Sequence, residues 1–346
     1  MEPVQGPSLK QRFFETCRRM GRAYKTAEAY WGWNVKYIRW HHQRAGGRDS
    51  DWPKVEPSRM GRQQIEEFLS YLANGRDVAP STQNQAFSAI LFLYTNVLKI
   101  EIKGVNALRA TRPTYIPSVL SANETTALLK CLTGRNRLIA YLCYGAGMRI
   151  GEVFELRVKD IDFDNRFIHI RQAKGHKDRI VQLPEVALPL LRMQIAETER
   201  RHQLDTSAGR ARVPLPYALA RKSPRAAGEL GWYWVFASAK YLDATNNDRG
   251  YVGRWHLDST TFTKPLADAV RAAKILKRVT SHTLRHSFAT HLMNNRVPLR
   301  EIQELMGHSS IETTQIYLHV EQGGAASNRS PLDTLLATNT LRHHAG

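Results

Sequence analysis

Six side chains of this sequence have the types, and the order along the chain, that transfer of a phosphodiester would need. They are two arginines, two histidines, a lysine and a tyrosine: Arg149, Lys174, His282, Arg285, His308 and Tyr317. Phosphoryl transfer requires that the charge on the two non-bridging oxygens is stabilised. Arginine forks match that geometry and keep their charge. The set therefore predicts a site that binds a phosphodiester and attacks it with a nucleophile of its own.

Tyr317 is the candidate nucleophile, because a phenol can form a covalent phosphodiester. The ordinary pKa of a tyrosine is about 10, so attack needs a base or a strongly cationic pocket. His308 precedes it by nine positions, from 308 to 317, a spacing that suits adjacent helices around a turn. Either His282 or His308 could supply the base or a hydrogen bond. Lys174 could protonate the departing 5′ oxygen, and we expect no metal, ATP or other cofactor because the tyrosine linkage keeps the bond energy.

Each of these residues has an ordinary structural explanation when it is taken alone. Arg149 could be a surface charge, and Tyr317 could pack between helices. His282 and His286 have the spacing of half a helical zinc site, but Thr283 stands where such a site carries glutamate. A metal site is therefore disfavoured, and a hydrogen-bonding role in the core is the default for His286.

The overall charge predicts an anionic partner. The 346 residues include 50 Lys and Arg against 31 Asp and Glu, a formal net charge of +19. Phosphate contacts by Lys and Arg supply most of the sequence-independent affinity for nucleic acid. We therefore interpret nucleic acid as the partner. The alternative is a very soluble protein with a cationic surface.

A membrane is disfavoured as the anionic partner. The longest apolar run, Leu138–Met148, is interrupted by Gly145 and Gly147 and is far shorter than the ~18 residues that span a bilayer. The N-terminus lacks an apolar signal core, and the three cysteines form no C-x-x-C pair. We therefore expect a protein of a reducing cytoplasm.

Two domains must position the six residues. We expect an N-terminal domain at 8–112, a linker at 113–120 that two prolines keep extended, and a catalytic domain at 121–346. Apolar periodicity predicts four helices in the first domain: Lys10–Arg22, Thr26–Gln43, Ile65–Leu72 and Thr82–Leu98. The second domain is predicted to open with a capping box at Ser121–Glu124. A hairpin of strands Phe167–Arg171 and Arg179–Leu183 is predicted next, followed by helical regions at Pro184–His202 and Phe262–Leu318. The predicted fold class is mainly α with a small β-sheet.

The motifs around the six residues resemble those of the tyrosine site-specific recombinases. They stand in the order in which that family carries them: Ala146–Glu152, Ala173–Arg179, His282–Thr290, Leu305–Ser309 and Tyr317. All six core catalytic positions match. The resemblance implies that Arg149 and Arg285 clamp the scissile phosphate and that Lys174 is the general acid. It also implies that Tyr317 attacks to leave a 3′-phosphotyrosyl link and a free 5′-hydroxyl.

The same resemblance assigns supporting roles. His282 and His308 would activate the nucleophile and hold the phosphate, and Glu152 would support Arg149. The N-terminal helices would form the family's core-binding domain, which clamps DNA from the opposite side.

The distance from Lys174 to His282 is 108 residues, which is longer than usual in the family. An added segment at about 210–256 and the tail at 321–346 resemble those of integron integrases. The implied partners are the duplex attachment site of an integron and the recombination site of a gene cassette, the latter as a folded single strand. Four subunits around two DNA sites are implied. We interpret Pro331–Leu336 as a helix that docks on a neighbouring subunit; packing on its own subunit is the alternative.

The candidate DNA contacts are basic and aromatic residues: Lys177, Arg179, Arg221, Lys222, Trp232, Trp234 and His256. Aromatic rings stack on unpaired bases, and cations contact the backbone. The alternative for the aromatic residues is that they fill the core beneath the added segment. Two other functions stay open: a phage-type or chromosome-resolving tyrosine recombinase that acts on duplex DNA, and a non-catalytic DNA-binding protein with the same fold.

Overall fold

The computed structural model describes residues 7–46, 56–76, 78–102, 104, 118–173, 177–216, 219–242 and 252–307. The chain divides into two compact units, Met1–Thr114 and Tyr115–Gly346. Helices predominate in the described residues, with a three-stranded and a two-stranded antiparallel sheet. The predicted fold class, mainly α with a small β-component, is confirmed.

The N-terminal unit contains all four predicted helices. They are α1 (Leu9–Arg19), α2 (Tyr24–Arg44), α3 (Arg62–Ser70) and α4 (Pro80–Phe92). Helices α3 and α4 each continue into a π-helical turn, at Tyr71–Gly75 and Leu93–Leu98. Pro80 occupies the first turn of α4, where its missing N–H costs nothing. The helices enclose fully buried rings and aliphatic chains such as Tyr37, Ile65 and Ile90, so amphipathic packing explains this unit.

The second unit begins with three helices, and the second of them is mostly buried from Leu138 onwards. The elements up to the first sheet are α5 (Ala122–Cys131), α6 (Gly134–Gly145) and α7 (Ile150–Phe154). The capping box is confirmed, since Ser121 Oγ accepts from the Glu124 N–H at 3.1 Å and Glu124 Oε2 accepts from the Ser121 N–H at 2.7 Å. Helix α6 is apolar and lies in the core, with Leu138 and Leu142 fully buried.

A three-stranded sheet carries the predicted hairpin. Its strands are β1 (Ile161–Asp162), β2 (Phe167–Ala173) and β3 (Lys177–Gln182), in the order β1-β2-β3. The hairpin is confirmed by the pairing of Ile168 with Val181 and of His169 with Ile180. Ile168 and Val181 are buried, whereas Ile180 is 52% exposed, as the two-residue period of a strand requires.

The added segment folds against a long helix. The elements here are α8 (Leu188–Ser207), α9 (Leu219–Lys222), β4 (Ala237–Leu242) and β5 (Gly253–His256). Strands β4 and β5 pair antiparallel, with Tyr241 opposite Arg254. The Arg254 guanidinium donates to both oxygens of the Asp205 carboxylate on α8, and both side chains are buried. This ion pair attaches the second sheet to α8.

The predicted helical region at Phe262–Leu318 consists, as far as residue 307, of three helices: α10 (Thr263–Ala272), α11 (Ser281–Asn294) and α12 (Leu299–Met306). Thr280 caps α11, and the preceding residues are not helical because Lys274 takes a left-handed φ of 55°. Leu120, at the end of the predicted linker, is buried and donates its N–H to Ser287 Oγ of α11 at 2.9 Å. None of the described helices is long and apolar enough to cross a membrane.

Candidate active site

The end of α6 leads directly to the first arginine of the site. Gly147 takes a left-handed φ of 61°, and a Cβ at this position would overlap the Phe288 ring of α11. This close approach favours glycine and turns the chain so that Arg149 becomes the N-cap residue of α7. The Arg149 N–H and its Nη1 then donate to the two oxygens of Glu152, each at 2.8 Å.

Arg285 reaches the same place from α11. It lies on the face of that helix that packs on α6, and its side chain is 4% exposed. Its guanidinium donates to the backbone carbonyls of Gly147 and Met306. Its Nη1 also lies 3.8 Å from Glu152 Oε2. The structure thus brings Arg149 and Arg285, which are 136 positions apart (149 to 285), to one carboxylate.

A third arginine completes this cluster. Arg179 of β3 donates from Nη1 and Nη2 to the two Glu152 oxygens, at 2.9 and 2.6 Å. Both side chains are about one-tenth exposed. Burial raises the pKa of the Glu152 carboxyl, but the bonds and charge of Arg179, followed by those of Arg149, outweigh it and hold that pKa below its usual value. Three arginines against one carboxylate leave two positive charges in excess.

The three guanidinium groups also bind three consecutive carbonyls at the end of α12. Arg179 Nε donates to Leu305 O at 3.0 Å, Arg285 donates to Met306 O, and Arg149 Nη2 donates to Gly307 O at 3.2 Å. The last carbonyls of a helix have no partner within the helix and carry partial negative charge. The arginines therefore cap α12 and fix the point from which the chain continues to residue 308.

Two histidines lie beside the arginines on α11. His282 precedes Arg285 by three positions and therefore lies on the same side of the helix. Partial burial, followed by the charges of Arg285 and Arg149, lowers the pKa of His282. Burial, with His282 and Arg285 nearby, lowers the pKa of His286 to about 4. Both imidazoles are thus neutral at physiological pH.

The remaining core residues of the predicted set, Lys174, His308 and Tyr317, lie outside the described residues, as does the tail at 321–346. Lys177 is the first residue of β3, paired with Ala173 across the hairpin. Among the residues that the structure describes, no three His, Cys, Asp or Glu side chains are grouped as metal ligands would be.

A cleft of about 600 Å³ joins the arginine cluster to the added segment. Arg149, Glu152 and His282 line it, as do Lys159 and Trp232. The Lys159 ammonium lies over the Trp232 ring, 2.8 Å from its centroid. This cation–π contact places an aromatic ring and a cation in the same cleft as Arg149 and His282.

Arg157 fastens the added segment to this cleft. Its Nη1 donates to Trp232 O at 2.6 Å and its Nη2 to Pro214 O at 2.8 Å. Its guanidinium also lies 3.8 Å from the centroid of the Trp234 ring. One arginine close in sequence to Arg149 therefore fixes the orientation of Trp232.

The other candidate DNA contacts fall into two groups. Arg221 and Lys222 are exposed on the short helix α9. Trp234 and His256 are buried against each other, with ring centroids 5.1 Å apart. Together with fully buried Tyr233, they form the small core beneath the added segment that was the alternative interpretation of these aromatic residues.

Sequence reasoning missed the roles of Arg157 and Arg179 within the protein. For Arg179 a signal was present, because the two-residue period of β3 puts it on the same face as buried Val181 rather than exposed Ile180. Arg157 has no such signal, since its backbone acceptors lie 57 and 75 positions away. DNA contact by Arg179 stays a prediction, and its observed partners are Glu152 and Leu305.

Both units match known family models. Residues 112–323 match the model described as the phage integrase family, and residues 9–104 match the model described as the phage integrase N-terminal SAM-like domain. The two matches together span nearly all of the chain.

Individual relatives have similar extents. The chain is 40% identical over 336 residues to an integrase/recombinase of Escherichia coli, which covers 97% of this chain and 96% of that protein. It is 30% identical over 274 residues to a tyrosine recombinase of Thermosipho africanus, covering 75% and 80% of the two chains. The crystal structure of the XerH site-specific recombinase bound to its difH substrate is similar in fold, with a TM-score of 0.57 and 20% identity over 94% of this chain and 86% of that one.

Proposed function

This chain belongs to the phage integrase family of tyrosine recombinases, enzymes that cleave and rejoin DNA, and we propose that it is an integron-type recombinase. In this proposal it inserts gene cassettes at an integron attachment site and excises them. The observation that carries the chemistry is the cluster in which Arg149 and Arg285 meet at Glu152 with two positive charges in excess. Such a cluster suits a phosphodiester, which brings one negative charge that intensifies in the transition state.

The proposed reaction needs a nucleophile and an acid on opposite sides of one phosphorus atom. Tyr317 Oη attacks the phosphorus, and the bond to the 5′ oxygen breaks as the 3′-phosphotyrosyl bond forms. The phenolic proton passes to His282 or His308, and Lys174 protonates the departing 5′ oxygen. The lowered pKa of His282 supports its part, because a neutral imidazole can accept a proton. Attack by a 5′-hydroxyl of the other strand reverses these steps and rejoins the DNA.

The added segment supports the integron assignment within the family. Its described residues are anchored to the catalytic unit by Arg157 and by the Asp205–Arg254 ion pair. It contributes the partly exposed Trp232 to the cleft that holds Arg149 and His282. A ring beside a phosphate clamp suits an unpaired base close to the cleaved bond, as a folded single strand provides.

The same proposal includes the number of subunits, further DNA contacts and the cellular compartment. Four subunits hold two DNA sites, and residues 331–336 of the tail dock on the neighbouring subunit. In this proposal Arg221 and Lys222, which are exposed on α9, contact DNA from the added segment. The enzyme works in the bacterial cytoplasm, where its DNA sites are.

The test is covalent trapping on two nicked substrates, the folded bottom strand of a cassette site and the duplex of the same sequence. We expect the wild type to form a protein–DNA adduct preferentially on the folded strand. We expect no adduct from Tyr317→Phe, because its ring lacks the attacking oxygen, and unchanged yield from the control Tyr30→Phe in the N-terminal unit.

Three outcomes would contradict parts of the proposal. An adduct that persists in Tyr317→Phe would refute the nucleophile. Equal reaction with the duplex would favour the phage-type or chromosome-resolving alternative. Activity abolished by EDTA and restored by zinc would revive a metal site.

A further inference from the structure

Arg179 is turned inward, although it lies only five positions from the predicted hairpin lysine (174 to 179). All three nitrogens of its guanidinium donate to protein acceptors, two to Glu152 and one to the carbonyl of Leu305. Its side chain is 8% exposed. These contacts describe a residue that binds other parts of the site rather than one that reaches out to DNA.

The charge of Glu152 explains why such a residue is needed. A buried carboxylate must be compensated by opposite charge and hydrogen bonds. Without Arg179, the cations left within 4 Å of Glu152 among the described residues are Arg149, at 2.8 Å, and Arg285, at 3.8 Å. Both would then be drawn to the carboxylate, and less of their charge would be available to a phosphate.

The contact with α12 gives Arg179 a second point of attachment. Gly307 has a left-handed φ of 59°, and a Cβ there would lie 2.9 Å from both Cδ and Nη1 of Arg179. Arg179 therefore packs directly under the residue that precedes His308. One side chain thus connects the hairpin, the arginine clamp and the end of α12.

We propose that Arg179 is a positioning residue, which balances Glu152 so that Arg149 and Arg285 keep their charge and orientation for the scissile phosphate. The inference rests on the clamp role that the proposed function gives to those two arginines. Arg179 does not touch the phosphate in this scheme. It acts through Glu152 and through the carbonyl of Leu305.

The experiment measures single-turnover adduct formation and DNA affinity in the full-length protein, on whichever nicked substrate the wild type cleaves better. Arg179→Gln is expected to lower the cleavage rate by about 100-fold, the scale of a small misplacement of catalytic groups. The control is Arg200→Gln, which removes one positive charge from an exposed pair on α8 and should cleave like the wild type. DNA affinity should change equally in both variants, because each loses one charge.

A double variant separates positioning from general support of the fold. In Glu152→Gln/Arg179→Gln the uncompensated carboxylate is gone, so we expect cleavage at least about tenfold faster than in Arg179→Gln alone. Arg179→Lys keeps the charge but not the paired geometry and should fall between the wild type and Arg179→Gln. If Arg179→Gln does not fold, the double variant is compared with Arg200→Gln instead.

The proposal is overturned if Arg179→Gln cleaves within about twofold of Arg200→Gln. Where Arg179→Gln does not fold, it is overturned if the double variant cleaves more than about tenfold slower than Arg200→Gln. It is equally overturned if the losses of cleavage rate in Arg179→Gln and in Glu152→Gln, each measured alone, multiply in the double variant. A wild type that forms no adduct would instead contradict the proposed function, so the two failures are distinguishable.

Discussion

At the scale of single residues, burial beside the arginine cluster lowers the pKa values of two neighbouring histidines, His282 and His286. His286 is packed one turn after His282 on α11, with ring centroids 6.4 Å apart, and Arg285 lies next to it in the sequence. A proton on His286 would add a charge to a partly buried, already cationic surrounding. The neutral imidazole is therefore favoured, and the pKa of His286 falls to about 4.

This shift makes the stability of the second unit depend on pH. In the unfolded chain His286 has an ordinary pKa near 6.5, so on acidification the unfolded state binds the proton first. The contribution of neutral His286 to the stability of the folded unit is complete above about pH 6.5 and is lost as the pH falls towards 4. Because solvent partly screens the site, we expect this contribution to be about 1–2 kcal/mol. Urea unfolding at pH 7 and at pH 5 gives the free energy of unfolding at each pH. Between pH 7 and pH 5 this free energy should fall less in His286→Gln than in the wild type. Identical losses in the two proteins would contradict the prediction, because His282 alone would then carry the effect.

At the scale of elements, a buried ion pair between Asp205 and Arg254 attaches the second sheet to α8. Asp205 on α8 is 1% exposed and Arg254 on β5 is 5% exposed, measured on their side chains. Arg254 also donates to the carbonyl of Ala239 at 2.7 Å, so it connects both strands to the helix. Removing the Asp205 charge would leave the buried Arg254 cation without its carboxylate partner.

Asp205→Asn should therefore lower the free energy of unfolding of the second unit by about 3–5 kcal/mol. The matched control is Asp268→Asn on α10, whose exposed pair with Arg271 contributes at most about 1 kcal/mol. Urea unfolding followed by tryptophan fluorescence measures both, since Trp255 belongs to β5 and its ring centroid lies 6.1 Å from that of Trp234. Equal stability of the two variants would show that the Asp205 pair is not needed.

The elements also show what sequence patterns could and could not predict. Helices α1 to α4 and the β2–β3 hairpin were predicted because apolar residues recur with the period of each element over its whole length. Strands β4 and β5 were missed because side-chain burial along them does not alternate with the two-residue period that marks a half-buried strand. The motifs singled out Arg149, Glu152 and Arg285, which the structure brings together. They did not indicate Arg157, because its partners are backbone carbonyls of a distant segment.

At the scale of the whole molecule, the charge of +19 predicts how DNA binding responds to salt. A protein that neutralises about six to ten phosphates loses 10³- to 10⁵-fold in affinity between 50 and 200 mM salt. We expect this chain to fall in that range on a duplex attachment site. Fluorescence anisotropy with Tyr317→Phe should measure it, because that variant is expected not to cleave the DNA. A change of less than tenfold would mean that few of the 50 basic side chains contact phosphates.

The arginine cap on α12 has a consequence for the order in which the protein is made. Its donors come from residues 149, 179 and 285, while its acceptors are the carbonyls of residues 305–307. A ribosome delivers those acceptors last, so the three guanidinium groups have no α12 carbonyls to bind until the chain has grown past residue 307. A nascent chain thus lacks the arginine cap of α12 through most of its synthesis, and the cap can form only after residue 307 has been added.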